Sequence, residues 1–157
     1  MSNKERINLL TDVDVEKLYA RPQFNEAERE HYFRLNEDES QLVGKYTGVK
    51  TKVYLILQIG FFKAEQQFYN FSFDEVKEDT HYIIKRYFNT LTKGITGKLW
   101  HENCRNQQLE ILNLYHHIEW SAQLKPKALG KLKQLIRIYP KGNDTLREFF
   151  VFLKNEK

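Results

Sequence analysis

The stretch Leu57-Gln58-Ile59-Gly60-Phe61-Phe62-Lys63-Ala64-Glu65-Gln66-Gln67-Phe68-Tyr69-Asn70-Phe71 decides the fold of this chain. Placed on a helix at about 100° per residue, Val53, Leu57, Gly60, Ala64 and Phe68 line one stripe. Ile56 and Ile59 widen it on one side and Phe61 on the other, while Leu55 and Phe62 lie near the opposite face. A helix apolar around most of its circumference is buried on several sides, so residues 50–67 are expected to form the centre of a core. Gly60 in mid-helix costs roughly 1 kcal/mol relative to alanine. It therefore reads as the place where another helix crosses closely.

Before this segment the chain reads as short capped helices. Thr11 or Asp12 caps a first helix that runs to Ala20 and is stopped by Pro22. Asn25 with Glu28 forms a capping box for a helix through Leu35, and Asn36 with Glu39 repeats the device for a helix ending near Gly44. After it, Ser72 with Glu75 offers another box, and a helix over residues 79–88 follows. Thr90, Thr92, Gly94, Thr96 and Gly97 break the pattern, which makes residues 89–97 the expected linker. Further helices are expected over residues 103–117 and 124–139, and from about Thr145, with Thr145 and Glu148 as the last capping box. The predicted fold class is all-α, with two small helical subdomains: residues 1–90, and a basic three-helix part over residues 91–157 with helix-turn-helix-like elements.

The 157 residues carry only three prolines and seven glycines, which favours helices over strands. No long window is free of charge, so no membrane span is expected. The first apolar residues are followed at once by Asp12 and Asp14, unlike a signal peptide. One cysteine, Cys104, excludes an internal disulfide and fits a reducing cytoplasm. Charge is divided unevenly. Residues 1–80 hold 11 Lys/Arg against 15 Asp/Glu, a balance of −4, whereas residues 81–157 hold 14 against 6, a balance of +8. Such asymmetry points to a polyanionic partner for the C-terminal half.

The candidate binding residues concentrate on the helix over residues 124–139. Leu129, Leu132, Leu135, Ile136 and Tyr139 fall on one arc, and Lys127, Lys131, Lys133, Gln134 and Arg137 on the other. Lysines on one arc neutralise several phosphates at once, and the counterions released make binding strong and salt-sensitive. Gln134 and Arg137 suit the edges of adenine and guanine. Lys125 and Lys141 extend the basic surface at the two ends, and Arg105 lies on the preceding helix. With that helix and the turn at residues 119–123, the basic helix would be the second of a helix-turn-helix-like pair. A second cluster, Lys45, Lys50 and Lys52, sits where a loop meets a helix N-terminus, which favours phosphate. Trp100 and Trp120 read as core residues rather than stacking platforms for bases.

Other chemistries lack their residues. His101, Cys104, His116 and His117 do not have zinc-finger spacing, so no metal is expected. No nucleophile sits in an activating context and no glycine-rich phosphate loop exists, so neither catalytic residues nor a cofactor are expected. The basic helix has no Trp or Phe on its apolar face, which argues against a membrane surface.

The run Leu57-Gln58-Ile59-Gly60-Phe61-Phe62-Lys63-Ala64, followed by Phe68, Phe71 and Arg86-Tyr87-Phe88, resembles the N-terminal domain of Tn3-family transposases. Leu18-Tyr19, Pro22, Phe24-Asn25, Glu28-Arg29 and Phe33 fit the same domain. So do the helix Arg105-Asn106-Gln107-Gln108-Leu109-Glu110-Ile111-Leu112 and the ending Ile138-Tyr139-Pro140-Lys141 with Leu146-Arg147-Glu148-Phe149. The resemblance covers the chain from about Leu10 onward. It implies binding of double-stranded DNA at the transposon's terminal inverted repeats, in the bacterial cytoplasm and at the nucleoid. Strand transfer would belong to a separate C-terminal domain. Self-association or contact with the rest of a transposase is a further expectation; rival readings are a stand-alone repressor that occupies transposon ends, and a protein-interaction module whose aromatic segment from Phe68 to Phe73 docks a partner or a second copy.

Overall fold

A computed structural model of the chain describes residues 11–89 and 95–155. Those residues form helices and no strand, so the chain is all-α. In order they are α1 (Asp12–Tyr19), α2 (Glu26–Tyr32), α3 (Glu37–Gly44), α4 (Val49–Glu65), α5 (Lys77–Ile83), α6 (His101–Leu114), α7 (Leu124–Ile138) and α8 (Gly142–Asn155). A 3₁₀ turn, Phe73–Val76, leads into α5, and a π turn, Ile84–Phe88, leads out of it. The helices gather into two compact units. One comprises residues 21–117, the other the described residues of 11–20 and 118–155.

In the larger unit α4 is the centre, and every residue from Val53 to Phe62 is buried. Leu55 and Phe62, on the face opposite the main stripe, are enclosed as fully as the rest, because α2, α3, α5 and α6 all pack on this one helix. The buried Gln58 amide is satisfied locally: its Nε2 donates to the Tyr69 carbonyl at 2.8 Å and to the Tyr54 hydroxyl at 3.1 Å. That pairing folds the exit segment back along α4. Gln66, at φ 54°, makes the turn that allows it. The segment from Phe68 to Phe73 therefore supplies core rather than a docking surface: Tyr69, Phe71 and Phe73 are buried, and the Phe71 ring stacks 4.7 Å from Tyr54.

The expected capping boxes at Asn25/Glu28, Asn36/Glu39 and Ser72/Glu75 are formed. Helix α2 stops earlier than Leu35. The Tyr87 hydroxyl donates to the Phe33 carbonyl at 2.7 Å and accepts from the Leu35 amide at 3.1 Å, so it takes up backbone groups that a longer helix would have used itself. Glu39 does more than cap α3. Fully buried, it accepts from the Asn36 amide at 3.0 Å, the Lys63 ammonium at 2.8 Å and the Tyr115 hydroxyl at 2.5 Å. One carboxylate thus joins α3 and α4 to the end of α6. Burial, and then this carboxylate, push the Tyr115 phenol well above its usual range.

The division between units differs from the one expected. Residues Thr90, Thr92 and Gly94 of the anticipated linker lie outside the described residues. Its end is pinned to the core, because the Gly97 carbonyl accepts from the Phe73 amide and the Gly97 amide donates to Asp74. Helix α6 packs on α3 and α4: Ile111 is buried, and Gln107 Nε2 donates to the Thr51 carbonyl at 3.1 Å. The chain leaves this unit after His117 rather than near residue 90.

In the smaller unit α7 and α8 form an antiparallel-type helical hairpin whose main contact is with each other. Helix α8 begins at Gly142, and Thr145 lies inside it. Its hydroxyl donates back to the Tyr139 and Lys141 carbonyls instead of capping a later start with Glu148.

Candidate nucleic-acid interface

Helix α7 begins at Leu124, its N-cap residue Gln123 making no side-chain capping bond, and carries its two buried residues, Ala128 and Leu135, about 20° apart around its axis. Leu124, Leu132 and Lys131 flank them and are half-buried. Opposite lies an exposed arc made of Pro126, Lys127, Gly130, Lys133, Gln134 and Arg137. Lys125 is exposed near the helix start, and Lys141 is exposed in the turn after its end.

On α8, Arg147 lies 3.7 Å from Asp144 and 3.6 Å from Glu148, so the acidic side chains there already have a cation beside them. Among the described residues, Lys125, Lys133, Arg137 and Lys141 have no carboxylate within ion-pair distance. Exposed positive charges gathered on one helix face, with Lys133 and Arg137 among them, form a surface that binds phosphates by displacing counterions.

The arc differs from the expected one at three residues. Leu129 is 46% exposed and Ile136 57%, although both were expected to face the core. A two-helix hairpin encloses only a narrow stripe of each member, and that stripe is centred on Ala128 and Leu135. Lys131 turns the other way. Its ammonium lies 5.8 Å from the centre of the Phe152 ring and 3.4 Å from Gln134 Oε1, so it bridges α7 and α8 instead of standing on the open face.

The remaining candidates belong to the larger unit. Lys45 is exposed where α3 ends, while Lys50 is half-buried with its ammonium 5.6 Å from the centre of the Phe73 ring. Lys52 is half-buried and about 200° from Lys50 around α4, so the two diverge. The start of α4, at Gly48 with φ 82°, has no side-chain cap. Arg105 is exposed on α6. The partner of α7 is α8, so the basic helix is built as part of that hairpin.

Both tryptophans expected in the core are outside it. Trp100 is 83% exposed immediately before α6, and Trp120 is 59% exposed. Trp120 instead lines an open groove of about 250 Å³ with Ile118, Leu124, Ala128, Phe152, Leu153 and Lys127. Among the described residues, no three His, Cys, Asp or Glu side chains gather as metal ligands. None of the described helices is long and apolar enough to cross a membrane.

The chain belongs to the family described as a domain of unknown function (DUF4158), whose model matches residues 9–157. No match to a curated protein or to a solved structure was found.

Proposed function

We propose that this member of the DUF4158 family binds double-stranded DNA, and that its ligand is the terminal inverted repeat of a transposon, held as the N-terminal domain of a Tn3-like transposase. The observation that carries the DNA reading is the outward arc of α7, where exposed Lys133 and Arg137 have no carboxylate partner among the described residues. The choice of a transposon end rests on the resemblance of residues 57–64 and the segments around them. In this reading Lys125, Lys127, Lys133 and Lys141 hold phosphates and fix the register of the protein on the duplex. Gln134 and Arg137 read base edges in the major groove. Strand transfer is left to another part of the transposase.

The test is affinity at physiological salt for a duplex of the terminal inverted repeat, compared with a shuffled duplex of equal composition. Specific recognition predicts a preference on the order of 10³-fold or more. Equal affinity for the two would leave a general DNA-binding surface and remove the transposon end as its ligand. A second reading is favoured by Leu129 and Ile136, exposed one heptad apart on α7: self-association or contact with another part of a transposase. A monomeric mass in solution, unchanged across concentration, would remove the self-association.

A further inference from the structure

Among the described residues two glycines, Gly60 and Gly130, lie in the middle of long helices, and Gly60 alone of the two has a packing reason to be there. At Gly60 a side chain would collide with Phe33. At Gly130 a Cβ would meet no heavy atom within 4 Å, and the residue has ordinary helical backbone without positive φ. Alanine would therefore fit Gly130 and strengthen the helix. Neither packing nor conformation within the described chain asks for glycine.

Its position on α7 supplies the reason. Gly130 lies at the middle of the exposed basic arc. Lys127 and Lys133 are three residues away on either side, Pro126 and Gln134 four away, and Arg137 almost directly above it two turns on. Long polar side chains thus surround a bare patch of helix backbone. Resting on the DNA reading above, we infer that Gly130 is the point of closest approach between α7 and the duplex, and that its missing side chain lets the helix sit deep enough in the major groove for Gln134 and Arg137 to reach base edges. Gln134 is short, so its amide meets a base only when the helix axis is close. The lysines have long flexible stems and reach phosphates even when the helix stands off. Gly130 is in this sense a positioning residue, and its loss separates sequence reading from phosphate binding.

The experiment uses two probes: a duplex that the wild-type protein enriches from a random-sequence pool, and the unselected pool itself. Gly130→Ala and Gly130→Gln both favour helix, so their thermal midpoints should be at or above wild type, which shows that the fold is intact. Gly130→Gln should bind the selected duplex about tenfold more weakly or worse, consistent with the loss of a base contact. Its affinity for the pool, and the slope of affinity against salt, should be unchanged, and Gly130→Ala should fall between. The inference is overturned if both variants bind the selected duplex as wild type does while Lys133→Ala weakens binding to both probes; the DNA reading then stands without it. Equal loss on both probes also overturns it, since Gly130 would then lie under the phosphate backbone. If the wild-type protein enriches nothing and does not bind the pool, the DNA reading itself fails and the inference falls with it.

Discussion

The ring of Phe33 occupies the space that a side chain on Gly60 would need: a Cβ at that position would stand 2.4 Å from the ring's Cδ1 and Cε1. Phe33 is the residue at which α2 ends, and it is fully buried. Its edge-on neighbours Phe24 and Phe61, at 5.4 and 6.2 Å between ring centres, leave it little room to withdraw. The glycine therefore sets how closely α2 lies on the central helix.

Gly60→Ala should destabilise the protein even though alanine is the better helix former. Overpacking of a filled core costs about 1–3 kcal/mol, which outweighs the gain of roughly 1 kcal/mol in helix propensity at most sites. Gly60→Leu should cost more. Chemical denaturation of the two variants checks this, and midpoints equal to wild type would mean that Phe33 moves aside freely.

Glu39 should be among the most sensitive polar positions. Glu39→Ala leaves the Lys63 ammonium and the Tyr115 hydroxyl without their shared partner. Breaking a buried pair costs about 3–5 kcal/mol, and the lower end applies because Lys63 keeps some access to water. Tyr115→Phe removes one charge-assisted bond and should cost about 2 kcal/mol. A double-mutant cycle in denaturant measures the coupling; strictly additive losses would show that the carboxylate and the phenol act independently.

Alkali should unfold the protein through its tyrosines. Burial raises the Tyr54, Tyr69 and Tyr115 phenols, and it pushes Tyr46 up to about 12, helped by Glu110. Each of these groups holds its proton more tightly folded than unfolded. Their contribution to stability is therefore complete below the unfolded value near 10 and is lost as pH rises from there through the folded values. Phenolate absorbance should rise together with the loss of helical circular dichroism. Ionisation of all nine tyrosines near pH 10 with the helices intact would contradict the burial.

The core was legible in the sequence because several signals agreed there. Apolar residues all round one helix, a mid-helix glycine and Asn/Glu spacings for caps all pointed to the same arrangement around α4. The boundary between units was less legible. Thr and Gly between residues 89 and 97 mark a break in helix, but a break does not say whether the chain then returns to the same core, as Gly97 does through Phe73 and Asp74. On α7 the periodicity correctly gave an amphipathic helix over nearly its full length. Periodicity alone puts Leu129 and Ile136 on the inner face, because it carries no information on how narrow a stripe one partner helix covers. Lys131 was misplaced for a related reason: its stem lies across the α7–α8 seam with its charge over Phe152, a contact between residues far apart in sequence. Charge asymmetry identified the basic helix but not which of its cations stand open.

The most direct test of the central claim is a salt titration of DNA binding by single variants of α7. Lys133→Ala, which removes an exposed cation with no carboxylate partner among the described residues, should lower the slope of log affinity against log salt by about one unit. Lys133→Ala should weaken binding to every sequence alike. Gln134→Ala should leave the slope unchanged, and Gln134→Ala and Arg137→Ala should each reduce discrimination between the selected and random duplexes by about 1–3 kcal/mol. Lys131→Ala is the internal control: with its ammonium over Phe152, it should change stability more than slope. Wild-type affinity and wild-type slope for Lys133→Ala, together with wild-type discrimination by Arg137→Ala, would contradict the account, and would reduce the outward arc of α7 to a solvated surface.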